Sequence, residues 1–145
     1  MTSDKNTAKT GEVDKAELIS QIRERHLTIM VIDDDELFGR SLGFKLRRKY
    51  LAEVEIMNSG EEAMDAVLSN KSYDVIFTDL MMPGMKGTDA LQELKRINPA
   101  LTVIIMSAFF GSEEWKKAKA LGATVIHKPI DDDFLIQILS GLQHK

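Results

Sequence analysis

The sequence has no cysteine among its 145 residues, which excludes disulfides, thiolate catalysis and zinc held by sulfur. That leaves carboxylates, main-chain oxygens and the imidazoles of His26, His127 and His144 as ligands, a set that favours a hard cation over a soft one. No run approaches the roughly 18 consecutive apolar residues of a membrane helix, and the polar start Met1–Gly11 lacks the apolar stretch of a signal peptide. A cytoplasmic protein without membrane insertion is the expectation. Basic tracts are equally short: none exceeds Arg47-Arg48-Lys49 on a chain of net charge −4, so direct nucleic-acid binding is not expected. Self-similarity with a period of about 20 to 50 residues, the mark of a repeat protein, is absent too.

What is present is the mix of one globular core, 43% hydrophobic and 29% charged, with no room for a second folded domain. Met1–Gly11 carries no aromatic residue and reads as a disordered tail. Leu18, Ile19 and Ile22 recur at helical spacing between Asp14 and His26, giving a short amphipathic helix before the main domain. The expected division is therefore 1–26, tail and helix, and 27–145, the main domain.

From there short apolar runs alternate with helical patterns. Leu27–Ile32, Ala52–Met57, Tyr73–Thr78, Leu101–Met106 and Thr124–His127 read as strands. Glu36–Lys49, Gly60–Ser69, Thr88–Ile97, Glu113–Leu121 and Asp131–Leu142 read as helices. Ser59 with Glu62 forms a capping-box pattern, Ser112 precedes two glutamates, and Gly122 follows a helix where a left-handed residue ends it. The first, third and fourth strands are nearly unbroken apolar runs, as strands buried on both faces require, so the fold class is α/β with a parallel sheet between helix layers. Right-handed crossovers then bring the loops after the strands to one edge, where ligands gather.

That edge receives Asp33-Asp34-Asp35, Asp79, Ser107 and Lys128. Clustered carboxylates raise one another's pKa, and a divalent cation relieves the repulsion. Magnesium suits the composition, manganese being a possible substitute: Asp34 and Asp79 would supply carboxylates, Met81 a main-chain carbonyl, and Asp33 would hold a metal-bound water. Phosphoryl transfer asks for an in-line nucleophile and positive charge on the equatorial oxygens. Asp79, standing apart from the acidic turn at the end of the central strand, is the assigned nucleophile. Lys128 brings a point charge and Ser107 a hydrogen-bond donor. By contrast Asp131–Asp133 opens a helix and is read as caps and dipole partners. His127 is read as a satisfied neighbour of Lys128, and Met81–Met85 as loop packing.

Taken together, Val31-Ile32-Asp33-Asp34-Asp35, Asp79-Leu80-Met81-Met82-Pro83-Gly84-Met85-Lys86-Gly87, Ser107-Ala108 and Lys128-Pro129 resemble the response-regulator receiver domains of bacterial two-component systems, over about Leu27–Leu142. The resemblance implies a flavodoxin-like fold with strand order 2-1-3-4-5 and self-catalysed, magnesium-dependent phosphorylation of Asp79. The phosphoryl group would come from the phosphohistidine of a sensor histidine kinase or phosphotransfer protein, and the output would be a contact with a downstream protein target. A stand-alone receiver, monomeric or weakly dimeric and not a conventional enzyme, is expected, since no output domain follows Leu142.

The departures are specific. The chain from Gly122 to Lys128 is one residue shorter than the usual receiver, and the position three before the lysine, commonly Tyr or Phe, is Val125. Signalling is then expected through Ser107 and the loop Ala108–Gly111, with Phe109 and Phe110 changing exposure. Met81 and Phe109 stand where receivers differ in phosphoryl lifetime, and both are apolar. Competing readings are a magnesium-dependent phosphohydrolase, for which Met81 offers no general acid, and a flavodoxin-like ligand module, whose cofactor phosphate the acidic turn would repel. A pseudo-receiver that is never phosphorylated is the fourth.

Overall fold

The computed structural model describes residues 13–69 and 71–142, so the tail Met1–Gly11 and His144 lie outside the described residues. Five parallel strands form one sheet in the order β2-β1-β3-β4-β5: β1 (Thr28–Ile32), β2 (Glu53–Met57), β3 (Val75–Asp79), β4 (Val103–Ser107) and β5 (Thr124–His127). Among the described residues six helices surround it: α1 (Val13–Arg25), α2 (Glu36–Tyr50), α3 (Gly60–Leu68), α4 (Gly87–Ile97), α5 (Glu113–Ala120) and α6 (Asp132–Ser140). The flavodoxin-like α/β architecture and strand order expected from the sequence are those observed.

The central strands β3 and β4 are buried along their whole length, which explains their unbroken apolar character. Successive residues feed opposite faces of the sheet. Ile29, Val31, Val75 and Phe77 pack with α2 and α6 residues such as Leu42, Leu46, Leu135 and Leu139. Met30, Ile32, Ile76 and Ile105 pack with Ala63, Leu91, Leu94 and Ala118 on α3, α4 and α5. The helix α1 joins the first layer: Ile22 is 1% exposed, Leu18 and Ile19 pack partly buried beside it, and Arg23 Nε donates to the Lys49 carbonyl at 3.0 Å where α2 ends.

Three local readings shift. β3 and β4 begin two residues later and end one later than the apolar runs, because Ile76 pairs with Val103 and Asp79 with Met106. Asp79 and Ser107 are therefore the last residues of their strands. The Ser59 hydroxyl accepts the Glu62 N–H at 3.2 Å, but the Glu62 carboxylate reaches Asn58 N–H, at 2.7 Å, instead of the cap residue. Asp131 stands at the α6 N-cap without a side-chain cap bond. Its neighbours serve long-range ion pairs, Asp132 with Lys45 at 2.8 Å and Lys49 at 3.5 Å, and Asp133 with Lys15 at 2.7 Å. Ser112 and Gly122 behave as their positions predict, the first accepting Trp115 N–H at 3.0 Å and the second adopting φ of 78°.

Candidate phosphoacceptor and metal site

Each chemically interesting side chain is set by a ladder bond at a strand end. Asp33 N–H donates to the Met57 carbonyl at 3.0 Å, one step beyond β1; Leu80 N–H donates to Met106 at 2.9 Å; Lys128 N–H donates to Ser107 at 2.8 Å. The five residues Asp33, Asp34, Asp79, Ser107 and Lys128 thus converge on one edge from β1, β3, β4 and β5. Close packing sharpens the placement of Asp79: a Cβ added to Gly87 would collide with the Asp79 carbonyl, so α4 approaches the strand end only because that residue has no side chain.

Asp33 is fully buried, Asp79 is 8% exposed and Ser107 3%, whereas Asp34 is exposed. Lys128 Nζ lies 2.7 Å from Asp33 Oδ2 and 3.1 Å from Asp79 Oδ1. The first contact is a buried ion pair in which the Lys128 ammonium is the partner of Asp33 Oδ2. Asp33 Oδ1 is occupied by the Asp35 N–H at 2.9 Å. Burial first, and the neighbouring Asp33 second, push the Asp79 carboxyl up to about 6 against the pull of Lys128. Burial works to lower the Lys128 ammonium, but the paired Asp33 and Asp79 outweigh it and hold the amine above its ordinary value.

The acids fit a hard divalent ion. Among the described residues, Asp33, Asp34 and Asp79 bring one carboxylate oxygen each within 4.8 Å of one another. The buried charge of Asp33 and the strained ionisation of Asp79, which share one ammonium, are both relieved by a second cation. Asp132 and Asp133 are committed to lysines, so the second acidic triplet offers no comparable cluster. A cavity of about 510 Å³ opens over the group, walled by Asp79, Ser107, Lys128, Met81 and Phe109. A wider cavity of about 620 Å³, beside Gln21, Glu24 and Ser140, gathers no such set.

Three features escaped the sequence reading. The Ser107 hydroxyl is engaged with its own loop: it donates to the Phe109 carbonyl at 2.5 Å and accepts the Phe109 N–H at 3.2 Å. Phe110 stacks obliquely on His127, centroids 4.7 Å apart, and meets Trp115 edge-on at 5.9 Å. The Phe38 ring lies 4.3 Å beneath the Lys128 ammonium. The spacing Phe38, Leu42, Leu46 indicated only a helix face, and nothing local pairs Phe38 with a residue so distant in the chain. Of the methionines, Met82 is buried but Met81 is 49% exposed, so that residue fronts the cavity instead of packing the loop.

Known proteins resemble this chain in sequence and in fold. The family profile described as "Response regulator receiver domain" matches residues 29–140, more than half of the chain. A cyclic di-GMP phosphodiesterase of Thermotoga maritima is 28% identical over 121 residues, covering 82% of this chain and 32% of that protein. The transcriptional regulatory protein ZraR of Escherichia coli is 33% identical over 111 residues, covering 76% of this chain and 25% of the relative. The chain thus spans a third or less of the length of these curated relatives. A response regulator receiver domain protein from Clostridium thermocellum superposes with a TM-score of 0.70 at 30% identity, covering 78% of this chain and 90% of the other.

Proposed function

The chain belongs to the response regulator receiver domain family, and we propose that within it Asp79 is the phosphoacceptor of a phosphorylation-controlled signalling switch. The observation that carries this reading is a carboxylate at the end of the central strand, desolvated but with Lys128 Nζ 3.1 Å away and two further acids beside it. With a pKa of about 6, Asp79 is mostly ionised at neutral pH and competent as a nucleophile.

In this reading an Asp79 oxygen attacks the phosphorus of a phosphohistidine on a sensor kinase or phosphotransfer protein. The O–P bond forms as the P–N bond breaks, and the electron pair returns to the imidazole, which takes up a proton. Hydrolysis later cleaves the acyl phosphate and restores the carboxylate. Asp33, Asp34 and Asp79 would hold magnesium with the Met81 carbonyl, and the ion, when bound, supplies positive charge to the transferring oxygens. Lys128 adds its ammonium on the same oxygens. Ser107 reaches a phosphoryl oxygen only by leaving the Phe109 carbonyl, so the loop 108–111 moves as the site fills. The moved loop is the surface offered to a downstream protein, and a cytoplasmic place of action is part of the reading.

Incubation with magnesium and acetyl phosphate, followed by intact mass, tests it. The wild type should gain one phosphoryl group and Asp79→Asn none, with chelation of the metal abolishing the gain. Turnover of the donor without an adduct would favour a phosphohydrolase; an inert wild type would make the chain a pseudo-receiver.

A further inference from the structure

We propose that Phe38 is a positioning residue for Lys128, its ring face keeping the ammonium over Asp79 while the carboxylates around that charge change partners. The proposal rests on Asp79 accepting the phosphoryl group.

Lys128 Nζ has three neighbours drawn from three elements: Asp33 after β1 at 2.7 Å, Asp79 on β3 at 3.1 Å, and the Phe38 ring on α2 at 4.3 Å. The two acids are the groups the phosphoryl reaction alters. An Asp79 oxygen becomes the bridging oxygen of an acyl phosphate, a mixed anhydride, and Asp33 is drawn toward the metal site. The pull of these two acids on the ammonium therefore falls as the reaction proceeds and passes to the phosphoryl oxygens. The quadrupole of an aromatic ring neither titrates nor ligates, so its attraction persists through every state of the site. A lysine on a flexible four-carbon stem needs such a constant partner to stay in register.

The backbone that carries the ring is tied to the acidic turn. Asp35 Oδ1 accepts the N–H groups of Leu37 and Phe38 at 3.1 and 3.2 Å, and the Asp35 N–H donates to Asp33 Oδ1 at 2.9 Å. Phe38 is half-buried on the core side of α2 and lines one small cavity with Leu42, Pro129 and Ile130. One side of the ring's surroundings thus belongs to the metal turn, the other to the residues that follow Lys128. Leucine would keep the apolar contacts and lose the quadrupole, which separates the two contributions.

The test compares Phe38→Leu and Phe38→Tyr with the wild type, each alone and in a Lys128→Ala background. Adduct formation on Asp79 from acetyl phosphate, at fixed magnesium, should slow about fivefold in Phe38→Leu and hold near the wild-type rate in Phe38→Tyr. In Lys128→Ala the leucine change should have no further effect. In the metal-free proteins the Lys128 ε-methylene protons should show an upfield ring-current shift that Phe38→Leu removes and Phe38→Tyr keeps; Phe38→Met serves as a second apolar replacement. Equal rates for leucine and phenylalanine, or the same slowing with and without Lys128, would overturn the role. A wild type that forms no adduct overturns the phosphoacceptor reading and this role with it, and the ring-current shift still reports whether the contact exists.

Discussion

Asp79 carries the electrostatic tension of the molecule, with a pKa raised from 3.8 to about 6 by burial and by Asp33. Between those values the unfolded chain binds fewer protons than the folded one, so stability falls as pH rises through the window and is lower by roughly 3 kcal/mol above it. Metal-free protein should therefore denature in more urea near pH 5 than the same group allows near pH 7. Asp79→Asn should flatten that slope and raise stability at neutral pH. Lys128 does not contribute to this window: its raised pKa stabilises the fold below its ordinary value and loses that effect only as alkaline pH passes the raised one. At the cavity mouth Met81 and Phe109, 49% and 73% exposed, present apolar surface to any water approaching Asp79. Met81→Asn or Phe109→Glu should speed loss of the phosphoryl group by about tenfold, below the gain of a full general base, as followed by decay of the adduct mass. Convergence of the acids, Ser107 and Lys128 was legible because strand ends of a parallel sheet share an edge. The partner of the lysine ring contact was not, because apolar spacing identifies a helix face without naming what lies opposite.

Among the elements, the β4–α5 connection is built to register a change at Ser107. Its hydroxyl makes two short-range bonds to Phe109, and the next residue, Phe110, leans on His127 and on Trp115, the sole tryptophan. A phosphoryl mimic with magnesium should loosen amide-exchange protection at residues 108–111 and shift Trp115 fluorescence, and Ser107→Ala should suppress both responses. Identical exchange with and without the mimic would remove this loop from the signal path. Helix boundaries marked by a serine at the start or a glycine past the end could be read from sequence, since a cap is satisfied within a few residues. The acids of α6 could not: Asp132 and Asp133 find Lys45, Lys49 and Lys15, ion pairs that exist only once three helices are packed side by side.

For the whole molecule, the alternation of buried runs and amphipathic helices sufficed for the layered α/β class, and the motif resemblance supplied the order of strands. The docking of α1 was left open by its sequence, which shows an apolar face without its destination. That face lands on the α2–α6 layer, with Ile22 at 1% exposure among Leu42, Leu139 and Leu142. Ile22→Ala should cost about 2 to 5 kcal/mol in urea unfolding, and Arg23→Ala about 1 kcal/mol through the lost bonds to the α2 carbonyls. This docking has a consequence for recombination. The stretch that the family profile matches, residues 29–140, is shorter than the piece that carries its own seal, since both Ile22 and Leu142 lie outside it. A gene fusion joined at residue 29 would transplant the sheet with one flank bare. A graft made from α1 to Leu142 should travel to a new host protein without exposing the layer that α1 covers.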